Sequence, residues 1–67
     1  MGLYHDMHDI VNGSNKTTNF SSEMIRIVLK ADTANISKLG TIYPNLVRTV
    51  QYWRDSSDGE ILDLPYD

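Results

Sequence analysis

The stretch Phe20-Ser21-Ser22-Glu23-Met24-Ile25-Arg26-Ile27-Val28-Leu29-Lys30-Ala31-Asp32 decides the fold, because it can be read with two periods. Read as a helix, it opens with a serine able to cap the free amides and puts Glu23 at the positive end of the dipole, with Phe20 ahead of the cap as a staple. Read as a strand, Ile25 to Leu29 offers enough β-branched residues for a short apolar run. The capping chemistry before the run and the helical continuation after it favour a helix over 21–31. Met24, Ile25, Ile27, Val28 and Leu29 then cover most of its circumference, which implies burial on more than one side. In a chain this short the extra side points to a second subunit. These five residues are the expected oligomer interface, with a dimer favoured.

Working outward, Asp32 is a good N-cap for a third helix, 33–42, in which Ile36, Leu39, Ile42 and Tyr43 share a face and Gly40 weakens the end. Pro44 cannot continue that hydrogen-bond ladder but suits the first turn of a new helix, so Tyr43-Pro44 marks a bend. The fourth helix, 45–54, is striped by Leu46, Val47, Val50 and Trp53. Upstream, Leu3, Met7, Ile10 and Val11 mark a first helix, 3–11, closed by Asn12-Gly13. Residues 14–19 are polar with nothing to bury, and read as a linker that leaves the first helix free to move or to dock on another subunit. Asp55-Ser56-Ser57-Asp58-Gly59 is a turn signal, and Glu60 to Asp67 mixes acids with large apolar residues before Pro65 blocks a regular helix. The fold expected is all-α: one domain over 1–67, three to four short helices and an extended acidic tail, 55–67, with the core completed by oligomerisation.

Composition narrows the class. The chain has 67 residues, no cysteine and two histidines, so disulfides and thiolate zinc sites are excluded and stability must come from apolar burial. The lack of cysteine fits a reducing compartment. Met24 to Leu29 and Ile61 to Leu64 are too short to span a bilayer, and Met1 to Val11 carries Asp6 and Asp9 where a signal peptide has a basic start. The expected location is cytoplasmic, with no membrane partner.

Charge is distributed unevenly. Lys16 to Arg54 holds all six basic residues against Glu23 and Asp32, while Asp55 to Asp67 has five acids and no base. The basic middle presents Arg26, Lys30, Lys38, Arg48 and Arg54 to any phosphate backbone, which makes a nucleic-acid or nucleotide-binding module the alternative reading. These bases are scattered rather than gathered on one stripe, and the chain is acidic overall. The tail is the stronger candidate, because acids interleaved with apolar side chains suit a docking segment: the apolar groups anchor and the acids steer toward a basic partner. The expected partner-binding set is Tyr52, Trp53, Asp58, Glu60, Ile61, Leu62, Asp63, Leu64 and Tyr66. Its competitor is a tail folded back on its own basic middle.

Catalytic chemistry has little to stand on. His5, His8 and Asp9 fall within one helical turn of each other, but no further histidine or cysteine closes a tetrahedron, so no metal is expected. Ser14, Ser21, Ser22, Ser37, Ser56 and Ser57 all sit in linker, cap or turn contexts, and Asp58 with Glu60 lies in a terminal segment with no obvious burial to tune a proton transfer. No catalytic residue and no cofactor is expected, and the chain reads as a binding protein rather than an enzyme.

The residues Asn19-Phe20-Ser21-Ser22-Glu23, Leu29-Lys30-Ala31-Asp32, Asn35, Lys38-Leu39, Tyr43-Pro44 and Val47 to Trp53 resemble a pattern found in small accessory proteins of tailed phages and prophages. In that pattern an aromatic-capped helix leads through a Lys-Ala-Asp turn, a short helix and an aromatic-Pro bend into a last helix ending in an aromatic. The resemblance covers about half the chain and brings no catalytic or ligand residues with it. It implies a context: a phage-type accessory protein that inhibits a host protein, a bacterial antiviral defence component, by occlusion, with a virion assembly role as a further alternative.

Overall fold

The computed structural model describes residues 3–13, 16 and 18–67, and it is all-α, with four helices in chain order: α1 Leu3–Val11, α2 Phe20–Lys30, α3 Thr33–Ile42 and α4 Pro44–Asp55. Leu3 and Met7 from α1, Ile25 and Val28 from α2, and Leu46, Val47 and Val50 from α4 form the core. Three helices therefore share one interior, while α3 lies outside it, packed mainly on α4 with no fully buried residue of its own. Where Gly40 faces α4, an added Cβ would sit 3.8 Å from Val47, an ordinary contact, so the glycine is not required by close approach.

The deciding stretch is a helix, and its start corrects the sequence reading. Asn19, not a serine, is the N-cap: its Oδ1 accepts from the Ser22 amide at 2.8 Å, and the Ser22 hydroxyl donates back to the Asn19 carbonyl at 2.9 Å. Asparagine serves because its short amide reaches an exposed N–H from an extended backbone. Phe20 thus lies inside the helix rather than ahead of it as a staple, and its ring meets that of Tyr43. Asp32 caps α3 as expected, accepting from the Asn35 amide at 2.9 Å.

The fourth helix begins at Pro44, one residue earlier than expected, and its cap comes from the far end of the chain. Tyr43 supplies no side-chain cap and Pro44 has no N–H, which leaves the amides of Asn45 and Leu46 to be satisfied. Both donate to the Asp67 carboxylate, at 2.8 and 2.9 Å. A negative group bound to two free amides at a helix N-terminus gains from the hydrogen bonds and from the dipole together.

The first helix, which the linker reading leaves free to move or to dock on another subunit, lies against the chain's own core. It packs on α2 and α4, burying Leu3 and Met7, and its first amide donates to the Leu64 carbonyl at 3.0 Å. Gly13 closes it at φ +77°, a backbone conformation that favours glycine. Of the linker, Ser14, Asn15 and Thr17 lie outside the described residues, while the Lys16 amide donates to Asp9 at 3.0 Å.

Asp6, noted in the sequence only as an acid of the first segment, is buried. Its carboxylate accepts from the Tyr66 hydroxyl at 2.7 Å and from the Asn19 side-chain amide at 3.3 Å, so one group joins α1, the start of α2 and the tail. The hydrogen bond to Asp6 raises the Tyr66 pKa above its ordinary 10.0, with burial and the Asp6 charge adding to the effect. The fold thus favours the neutral phenol. That contribution is complete below pH about 10 and is lost as pH rises through the raised value. Tyr66→Phe is expected to cost about 1–2 kcal/mol at neutral pH, in urea unfolding, and to shallow the fall in stability above pH about 10. Asp67→Ala removes the cap of α4 and is expected to cost about 1 kcal/mol in the same measurement, with Asp67→Asn losing less.

Candidate functional site

The nine residues expected to bind a partner do not form one surface. Ile61 packs against the core and Leu62 and Leu64 are half-buried, while Tyr66 is tied to Asp6, and only Asp63 of that stretch is left fully outward without a described role. The tail is folded back, through Leu64, Pro65, Tyr66 and Asp67, onto α1 and α4. Its competitor reading had placed it on the basic middle for reasons of charge. The observed contacts are instead mostly hydrogen bonds to backbone amides and to a carboxylate, so unsatisfied helix ends decide the path.

Tyr52, Asp58 and Glu60 do come together, in an acidic shoulder with Asp55 around the end of α4. The Ser56 hydroxyl accepts from the amides of Asp58 and Glu60 at 3.3 and 3.0 Å, which curls the turn, and Gly59 completes it at φ +69° beside Trp53. The Tyr52 hydroxyl donates to Glu60 at 3.1 Å, and that bond, then the Glu60 charge and a little burial, raise the phenol's pKa above its ordinary value. Trp53 is half-buried against the core and contributes more to packing than to the shoulder.

The expected oligomer interface also divides. Ile25 and Val28 are fully buried in the chain's own core, and Met24 and Leu29 are partly buried against it. Only Ile27 is exposed, at 49%. The all-round apolar character of α2 is thus largely absorbed by α1 and α4, which approach it from different sides, a convergence no single-helix pattern reveals.

What remains on α2 is a second stripe. Phe20, Met24, Ile27 and Ala31 follow at intervals of four, three and four, and Asn35, Lys38, Leu39 and Ile42 form a corresponding row on α3. The two helices are joined by Ala31-Asp32 alone, and Phe20 meets Tyr43 at the other end with ring centroids 6.1 Å apart. Between these closures lies an open apolar groove of about 420 Å³, lined by Ile27, Lys30, Ala31, Asn35, Lys38 and Leu39. Phe20 is 65% exposed and Ile42 64%, so the apolar surface continues past the groove. Sequence reasoning placed Ile42 on the buried face of α3. The signal that could have separated them was the Ile36, Gly40 and Tyr43 row, which is the one turned to α4.

The basic residues are used unequally. Arg26 pairs with Glu23, and Arg54 donates to the Leu29 carbonyl at 2.8 Å, closing the end of α2. These roles draw two of the six bases away from a phosphate-binding stripe. Lys30 and Lys38 stand at the groove, with no ion pair to a carboxylate among the described residues. On α1, His8 stacks on Tyr4 and approaches the Asn12 amide, and among the described residues no three potential metal ligands gather. No helix among them is long and apolar enough to cross a membrane.

No family model matches the chain, and neither a curated protein nor a solved structure does. The two faces of α2 make a direct prediction. Ile25→Ala is expected to cost about 2–4 kcal/mol in chemical denaturation, whereas Ile27→Ala stays within about 0.5 kcal/mol, because only the first opens a cavity.

Proposed function

We propose that this chain is a small accessory protein of phage type that binds a host protein of antiviral defence and inhibits it by steric occlusion. The observation that carries the binding part is the distribution of its apolar surface. No buried side-chain polar atom is left unpartnered among the described residues, yet Phe20, Ile27 and Ile42 stay exposed on the α2–α3 pair. Large apolar side chains gathered on a small surface, rather than scattered singly, suit protein recognition. The inhibitory part rests on the resemblance in the sequence and on the absence of any expected reaction chemistry in its motifs. Occlusion needs only a rigid body and a contact face.

Affinity capture from a bacterial lysate with the tagged chain, followed by assay of the recovered protein, tests this reading. The expected result is one host protein recovered in fixed stoichiometry whose activity falls as purified chain is added, reaching its floor near one equivalent. A recovered protein that keeps full activity at saturation, or recovery no different from an unrelated tagged helical protein, overturns it.

A further inference from the structure

Resting on that reading, we infer that the α2–α3 groove receives an amphipathic helix of the partner protein, one that carries carboxylates beside its apolar anchors. Three features define this occupant. The floor is apolar, formed by Ile27, Ala31 and Leu39, and the sides are the surfaces of two short helices. The lining spans about one turn of each helix, Ile27 to Ala31 and Asn35 to Leu39, and with the outward stripe of α2 back to Phe20 the surface reaches about 15 Å, which matches two to three turns of a docked helix with anchors at i, i+3 or i+4, and i+7. The rims carry Lys30 and Lys38, cations without a carboxylate partner among the described residues. Acids flanking the anchors of the incoming helix would meet them, giving register and orientation to a contact whose area is apolar.

The same lysines disfavour a second copy of this chain. A two-fold interface brings the same patch of each subunit together, so the groove faces would set Lys30 and Lys38 of one copy against those of the other. No acid of the chain lines the groove to supply the relief: Asp32 caps α3, Glu23 pairs with Arg26, Glu60 accepts from Tyr52, Asp67 caps α4, and the exposed Asp55, Asp58 and Asp63 are not among the lining residues. The groove is also open to solvent rather than enclosed, which suits a segment laid on it more than a compact small molecule.

Display selection with the full chain against a library of randomised helical peptides, then mapping of the selected peptides by amide chemical shifts, tests the assignment. Selected peptides are expected to carry apolar residues at helical spacing with an excess of Asp and Glu beside them, and to shift Ile27, Ala31 and Leu39. The double variant Lys30→Glu with Lys38→Glu is expected to bind those peptides at least about tenfold more weakly, and to select Lys- and Arg-bearing helices instead. A wild-type selection without acidic bias, shifts confined to another face, or a native-mass dimer that protects the groove overturns the inference. A host protein captured and inhibited equally well by the double variant overturns it too, while leaving the inhibitor reading standing. Acidic helices selected by a chain that inhibits nothing uphold the groove and remove the inhibitor.

Discussion

The buried carboxylate of Asp6 is the contact on which the arrangement of the helices depends. A charge taken from water must be met by donors, and here the donors come from two distant places, the Tyr66 hydroxyl and the Asn19 side chain. Asn19 holds a second obligation, since its carbonyl oxygen caps α2. Asp6 therefore sets where α2 begins relative to α1, and where the tail crosses them both. Few groups in so short a chain can specify three segments at once, and burial makes each bond more directional than it would be in water.

A similar economy runs through the helix ends. A small domain without disulfides or metal has little surplus from apolar burial, and each uncapped helix end draws on it. Asn19 and Asp32 cap α2 and α3 locally, while three other ends are met by groups remote in sequence: the Asp67 carboxylate for the start of α4, the Arg54 side chain for the end of α2, and the Leu64 backbone carbonyl for the start of α1. The residues after Gly59 are thus a structural strap in which hydrogen bonding to backbone matters more than charge. Their acids are partly spent on the fold, which is why recognition is better sought on α2 and α3.

The third helix is the outlier of the architecture. It is capped well at its start by Asp32 and lies on α4 through Ile36 and Tyr43, with Leu39 between that face and the groove, yet no residue in it is fully buried. A helix held on one side only keeps its opposite row available, and the short Ala31-Asp32 connection sets that row beside the outward stripe of α2. The groove is a consequence of this geometry. Packing on α4 and a two-residue turn hold α3 beside α2 with Ile27 left uncovered.

Much of the fold was legible in the sequence because it is local. Helix existence follows from apolar spacing within ten or so residues, and the breaks follow from Asn12-Gly13, Asp32 and Pro44, whose effects act within one turn of the chain. Periodicity could count the apolar sides of α2 but could not say which neighbour would cover each. Tertiary structure alone decided that Ile25 and Val28 face the core while Ile27 faces outward, that Asp6 is buried, and that Asp67 caps a helix beginning more than twenty residues earlier. The physical reason is the same in each case. A hydrophobic face or an unpaired amide announces a need in the sequence, but the group that meets it is chosen only when distant segments are brought together in space.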